Sequence, residues 1–134
     1  MIVLDSSFLV AYYNTRDVHH ADAARTMVDL VAGDWGRAQL LEYVFLEVVT
    51  VLRARAGTAV AGEAADTLLK AADLDFVPCS GIFLDALEIF RRESTDLSFT
   101  DAAIVCVARK DKNGFVATFD RDFNRVSGVT VIPS

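Results

Sequence analysis

Apolar positions along the chain switch repeatedly between a strand-like run and helical spacing. Met1 to Leu4 is a short apolar run closed by Asp5-Ser6-Ser7, whose small polar side chains suit the start of a helix-like segment from Phe8 to Tyr13. From Asp17, the expected N-cap, Val18, Ala21, Ala24, Met27, Val28 and Val31 keep helical spacing until Gly33 stops them. Arg37 to Leu41 predicts a second strand. Glu42 to Arg55 predicts a longer helix, apolar nearly all round and ended by Gly57. A helix over Ala59 to Ala72, a short strand at Phe76-Val77-Pro78 and a helix over Ser80 to Glu93 follow, the proline arguing for a sheet edge. Ser98 starts a helix through Arg109, Gly114 resets the chain, and Phe115 to Phe119 and Val129 to Ile132 read as the last strands.

Strands alternating with helices imply parallel strands joined by right-handed crossovers. The expected fold is therefore α/β: a three-layer α/β/α sandwich around a mostly parallel sheet of four to five strands, forming one domain over residues 1–134. Hydrophobic residues make up 53% and charged residues 24% of the chain, which excludes disordered and collagen-like classes. No charge-free apolar stretch approaches the ~20 residues a membrane crossing needs, and Asp5 interrupts the only place a signal peptide could begin. Cys79 and Cys106 lie far apart without ligand spacing and are too few for a disulfide framework, so a reducing cytoplasm is the expected location. Thirteen basic against nineteen acidic side chains give a net charge of −6, which disfavours non-specific adhesion to nucleic acid but leaves room for a locally basic groove. Fourteen of the acids are aspartate, a bias away from exposed helix faces and toward turn caps or metal ligands.

Four acids break the local pattern. Asp5 and Asp120 each follow an apolar strand, so a parallel sheet delivers both carboxylates to its C-terminal edge, where open α/β sheets bind ligands. The alternative for each is a helix cap or Asx turn. Glu47 interrupts Val44 to Leu52 with no Lys or Arg three or four residues away. It must reach water, become protonated or meet a cation, since a buried unpaired carboxylate costs several kcal/mol. Asp101 completes a Ser98-Phe99-Thr100-Asp101 capping box and would be structural taken alone. Asp96 and Asp122 add carboxylates to the neighbouring loops, where solvated turn roles suffice. Should the four converge, each close pair repels by about 4 kcal/mol at an effective dielectric of about 20 and a separation near 4 Å. Such a cluster calls for a divalent cation, and all-oxygen ligands suit Mg²⁺ or Mn²⁺ rather than structural zinc. His19 and His20 sit in a loop and are read as capping or packing residues, not ligands.

At this point the chain resembles the PIN-domain ribonuclease family, which includes the VapC-like toxins of toxin–antitoxin modules. The resemblance rests on Val3-Leu4-Asp5-Ser6-Ser7, on Tyr43 to Arg53 around Glu47, on Leu97-Ser98-Phe99-Thr100-Asp101-Ala102-Ala103-Ile104 and on Ala117-Thr118-Phe119-Asp120-Arg121-Asp122-Phe123, in that order along the whole chain. It implies a PIN-like, Rossmann-like topology and an acidic tetrad of Asp5, Glu47, Asp101 and Asp120, with Asp122 as an additional metal ligand. It also implies endonucleolytic cleavage of RNA by in-line attack of a metal-activated water, leaving 5′-phosphate and 3′-hydroxyl ends. In that scheme Asp5, Asp101 and Asp120 ligate Mg²⁺ or Mn²⁺ and Glu47 holds a metal-bound water. Ser7 and Thr118 orient carboxylates by hydrogen bonds. Partners implied are RNA, a second copy in a homodimer, and a small antitoxin that places an arginine in the acidic site. The chain departs from many relatives at Glu42, where an uncharged polar residue is usual. A favourable charge at the helix start is the preferred reading and a place on the site rim the alternative.

An acidic protein still needs local cations to hold a polyanion. Arg53, Arg55, Arg109, Lys110 and Lys112 lie at helix C-termini, where the dipole alone explains them, so Arg121 is the better phosphate candidate. A receiver-type phosphoacceptor is disfavoured because the third strand ends at Cys79. A haloacid-dehalogenase-type phosphatase is disfavoured because Asp5-Ser6-Ser7 lacks a second aspartate. The remaining alternative to a nuclease is a catalytically inactive PIN-like scaffold that binds RNA or a partner protein.

Overall fold

In the computed structural model, which describes residues 1–93 and 96–134, the strands are β1 (Ile2–Leu4), β2 (Ala38–Leu41), β3 (Leu74–Val77), β4 (Phe115–Ala117) and β5 (Thr130–Ile132). The helices are α1 (Ser6–Tyr13), α2 (His20–Val31), α3 (Glu42–Ala56), α4 (Thr58–Lys70), α5 (Phe83–Arg92) and α6 (Phe99–Ala108). The sheet runs β3-β2-β1-β4-β5 with every neighbouring pair parallel, Val3 lying between Gln39 and Val116. The chain steps outward from β1 to β2 to β3 and then returns past β1 to β4. Right-handed crossovers in opposite directions place α1–α4 on one face and α5–α6 on the other, the three-layer α/β/α sandwich expected from the alternation.

Sequence pattern and burial agree where the sheet is deepest. Ile2, Val3 and Leu4 are buried throughout because β1 is the central strand and is covered on both faces. Helix α6 is buried from Ala102 to Ala108 and packs on β1 and β4, so its apolar sequence reads as a core helix. Strand β3, followed at once by Pro78, lies at the sheet edge. Gly57, at φ +95°, ends α3 and begins α4, a corner that side chains beyond glycine rarely adopt. Gly114 meets the opposing chain so closely that a Cβ would stand 1.9 Å from the carbonyl oxygen of Gly128.

Several local boundaries differ from expectation. The N-cap of α2 is His19, not Asp17. Asp17 instead closes a preceding turn, its Oδ1 accepting the His19 N–H at 2.9 Å, which leaves Val18 outside the helix and 89% exposed. Strand β4 ends at Ala117 rather than Phe119, and a 3-10 turn from Arg121 to Arg125 follows. Helix α5 begins at Phe83, three residues later than the polar Ser80 suggested.

Candidate active site

The two halves of the chain diverge between β1 and β4, the switch point where open α/β sheets leave a crevice at their C-terminal edge. Asp5 follows β1 directly, and Asp120 lies three residues past β4. Helix α6 precedes β4 and so runs against the strands, bringing its first turn and Asp101 to the same edge. Helix α3 leaves β2 at that edge and carries Glu47 in its second turn.

Asp5 is only 4% exposed, and its environment accounts for how it is held. The Thr118 hydroxyl donates to Asp5 Oδ2 at 2.6 Å and the Ser7 hydroxyl donates to the same oxygen at 2.8 Å. Each hydroxyl also accepts a backbone amide: Phe119 N–H reaches Ser7 Oγ at 3.0 Å, and Asp120 N–H reaches Thr118 Oγ1 at 2.9 Å. The post-β4 loop is thereby tied through two hydroxyls to the carboxylate that ends β1. Burial nevertheless pushes the Asp5 pKa up, against the hydroxyl bonds that favour its charged form, and Asp120 adds repulsion.

Asp101 closes the capping box of α6, its amide bonding Ser98 Oγ at 3.1 Å while its Oδ2 accepts the Ser98 N–H at 3.2 Å. Burial pushes its carboxyl up to about 6, against the Ser98 hydrogen bonds, and the charges of Asp5 and Asp120 add to the rise. Asp120 Oδ1 accepts the Asp122 N–H at 2.9 Å and starts the 3-10 turn. Glu47 is exposed at the mouth of a cleft and accepts a hydrogen bond from the Ser6 hydroxyl. It therefore meets the requirement posed by its apolar helix by reaching water.

Two clefts flank Asp120. The first, about 480 Å³, is bordered by Ser7, Asp17, His19, Glu47, Arg55 and Phe119 among others; the second, about 260 Å³, by His19, Thr118, Phe119, Arg121 and Asn124. Asp120 lines both. Asp122 is exposed and lines neither. Of the cations, Arg55 and Arg121 border these clefts, whereas Arg109 is engaged with Glu93 Oε1 at 3.3 Å and the Ser127 carbonyl at 3.0 Å. Ser6, His19 and Phe119 join the site without being legible as site residues in the sequence. Ser6 stood next to Ser7 after the first strand, but the other two carry no signal beyond side-chain type.

The donor set suits a hard divalent cation. Asp5, Asp101 and Asp120 repel one another at one sheet edge, and among the described residues none of them forms an ion pair. No three His, Cys, Asp or Glu side chains among the described residues stand in a ready-made ligand cage. Asp101 is turned toward its cap, so the chemistry of the acids fits such an ion while their present positions spread them.

The PIN domain family model matches residues 2–129. A segment of 51 residues is 31% identical to a VapC ribonuclease of Archaeoglobus fulgidus, covering 38% of this chain and 33% of that protein, so it spans about a third of that relative's length. Among solved structures, Mycobacterium tuberculosis VapC20, described as a sarcin-ricin loop cleaving toxin, superposes with a TM-score of 0.78 at 28% identity over 92% of this chain and 93% of that one. VapBC2 from Rickettsia felis, bound to a promoter DNA fragment, shares the fold at a TM-score of 0.64 and 12% identity, covering 98% and 97% of the two chains.

Proposed function

The chain belongs to the PIN-domain family, and from that premise we propose that it is a divalent-metal-dependent endoribonuclease acting as the toxin of a toxin–antitoxin pair. The observation that carries this reading is that Asp5, Asp101 and Asp120 reach one sheet edge at the switch point, near enough to feel one another's charge, and that among the described residues none of them forms an ion pair. Burial first, and mutual repulsion second, disfavour the ionised forms of Asp5 and Asp101, an arrangement that suits a site reserved for a cation.

In this reading Asp5, Asp101 and Asp120 hold Mg²⁺ or Mn²⁺, which when bound supplies charge neutralisation at the scissile phosphate and activation of water for attack on phosphorus. Ser7 and Thr118 fix the rotamer of Asp5 and keep one of its oxygens, Oδ2, turned toward the β4 loop. Glu47, exposed at the cleft mouth, orients the attacking water and accepts its proton. Arg121 and Arg55, at the borders of the two clefts, bind flanking phosphates and compensate locally for the chain's acidity. Asp122 supports Asp120 through its backbone amide.

The antitoxin partner is supported by relatives solved as toxin–antitoxin complexes, and the uncompensated acids offer its cationic side chain a place. Homodimerisation is supported by apolar side chains left exposed on α3 and α5: Leu46 at 63%, Phe83 at 47% and Leu84 at 72%.

The test incubates purified protein with single-stranded and hairpin RNAs in Mg²⁺, Mn²⁺ or EDTA beside folded Asp5→Asn and Asp101→Asn variants. Cleavage that needs the metal and is lost in both variants is the expected result. Cleavage that survives EDTA, or survives either substitution, overturns the metal role or that residue's part in it. Absence of both cleavage and Mn²⁺ binding leaves the inactive scaffold as the reading to keep.

A further inference from the structure

A succession of aromatic rings runs from the core of the protein to the cleft beside Asp120. Phe8 is fully buried, and its ring stacks with that of Phe119 at 6.2 Å and 27°. Phe119, half-buried, in turn stacks almost parallel with the imidazole of His19 at 4.4 Å and 4°. His19 is exposed, and although it occupies the N-cap position of α2 its side chain makes no capping hydrogen bond. This imidazole is exposed and does not cap its helix, yet it lies flat on a ring that the core supports. It is well placed to present a face to a ligand.

Three further observations say which ligand. His19, Phe119 and Asp120 are common to both clefts, so a strand passing from one to the other crosses the ring pair beside the acid. Each cleft also has an arginine at its border, Arg55 in the first and Arg121 in the second, so both clefts that share the ring pair offer a cation to a phosphodiester backbone. The platform also belongs to the catalytic scaffold. The Phe119 amide is held by the same Ser7 hydroxyl that bonds Asp5, so a base stacked there is placed relative to the acids.

We propose that His19, backed by Phe119 and Phe8, is a stacking platform for one nucleobase of a single-stranded RNA segment, setting which phosphate lies beside Asp120. His19 acts as a positioning residue in this role. The proposal rests on the ribonuclease reading above and adds to it a subsite for a base.

The test uses short single-stranded RNAs carrying 2-aminopurine at successive positions, titrated into the full-length Asp101→Asn chain, which removes turnover and one repelling carboxylate. Anisotropy reports binding, and 2-aminopurine emission reports stacking. His19→Ala and His19→Phe are compared in this background, with circular dichroism checking that both fold. The expected result is an emission change confined to one probe position. Affinity should be about 5- to 150-fold weaker in His19→Ala and restored in His19→Phe, the range that loss of one base–aromatic stack produces. RNA bound without an emission change overturns the platform and leaves the nuclease reading standing. The same holds if His19→Ala is indistinguishable from its parent, or if His19→Phe is as weak as His19→Ala. No RNA binding by any chain, with or without Mg²⁺, overturns both.

Discussion

The Thr118 hydroxyl donates to Asp5 Oδ2 at 2.6 Å while accepting the Asp120 N–H at 2.9 Å, so one buried side chain connects two acidic residues that follow different strands. Thr118 is 1% exposed, and neither bond can be replaced by water without opening the sheet edge. Thr118→Val keeps the shape and removes both bonds, which should destabilise the protein by about 1–3 kcal/mol. Thr118→Ser should recover most of that loss. Urea denaturation of the three proteins measures it, and equal midpoints would show that the hydroxyl carries no weight.

The raised Asp101 carboxyl makes a signed prediction about pH. Its folded pKa of about 6 exceeds the ordinary 3.8, so the folded state binds the proton more tightly than the unfolded chain. Asp101 therefore leaves the metal-free fold unpenalised below about pH 4, destabilises it progressively between about pH 4 and pH 6, and adds no further penalty above that. Asp101→Asn removes this dependence while keeping an oxygen to accept the Ser98 N–H. In EDTA the variant's Tm should match the wild type near the acidic end, exceed it increasingly up to about pH 6 and stay above it by a constant margin toward neutrality. A pH-independent difference would exclude Asp101 as the titrating group.

Element types were legible in the sequence because they follow hydrophobic period, which survives in any tertiary context. Boundaries were less so. Val18 fits the spacing of α2 but is exposed, because Asp17 spends its carboxylate on the His19 amide one turn early. Phe115 to Phe119 reads as one strand, yet the amide of Phe119 goes to the Ser7 hydroxyl, a residue 112 positions away. The acids could be picked out because each sits where the local pattern has no use for a charge. Their hydroxyl tethers and the His19–Phe119 stack depend on neighbours brought in by the fold, and no local pattern encodes them.

Glu47 separates stability from chemistry. It is exposed, and its hydrogen-bond partner among the described residues, the Ser6 hydroxyl, is a donor that the side-chain carbonyl of glutamine can also accept. Glu47→Gln should leave stability within about 0.5 kcal/mol of wild type. If Glu47 takes the proton of the attacking water, RNA cleavage should fall by about a hundredfold or more. Cleavage at the wild-type rate would remove Glu47 from the chemistry and leave it as a surface residue on α3.

Glu42 has a structural use. Its Oε1 accepts the Cys79 N–H at 2.7 Å, tying the first turn of α3 to the segment that leaves β3. The charge also lies at the positive end of the α3 dipole. Both contributions are lost in Glu42→Ala, for an expected loss of about 1.5–3 kcal/mol, the range for a hydrogen bond to a charged acceptor. Glu42→Gln keeps the acceptor and loses only the charge, so it should fall between the two. Because the Glu42 carboxylate is turned to the Cys79 amide and not to the acids beside Asp120, RNA cleavage per folded molecule should be unchanged in both variants. Denaturation curves paired with cleavage rates distinguish this role from a place on the site rim. A variant of wild-type stability with altered cleavage would move Glu42 into the substrate path.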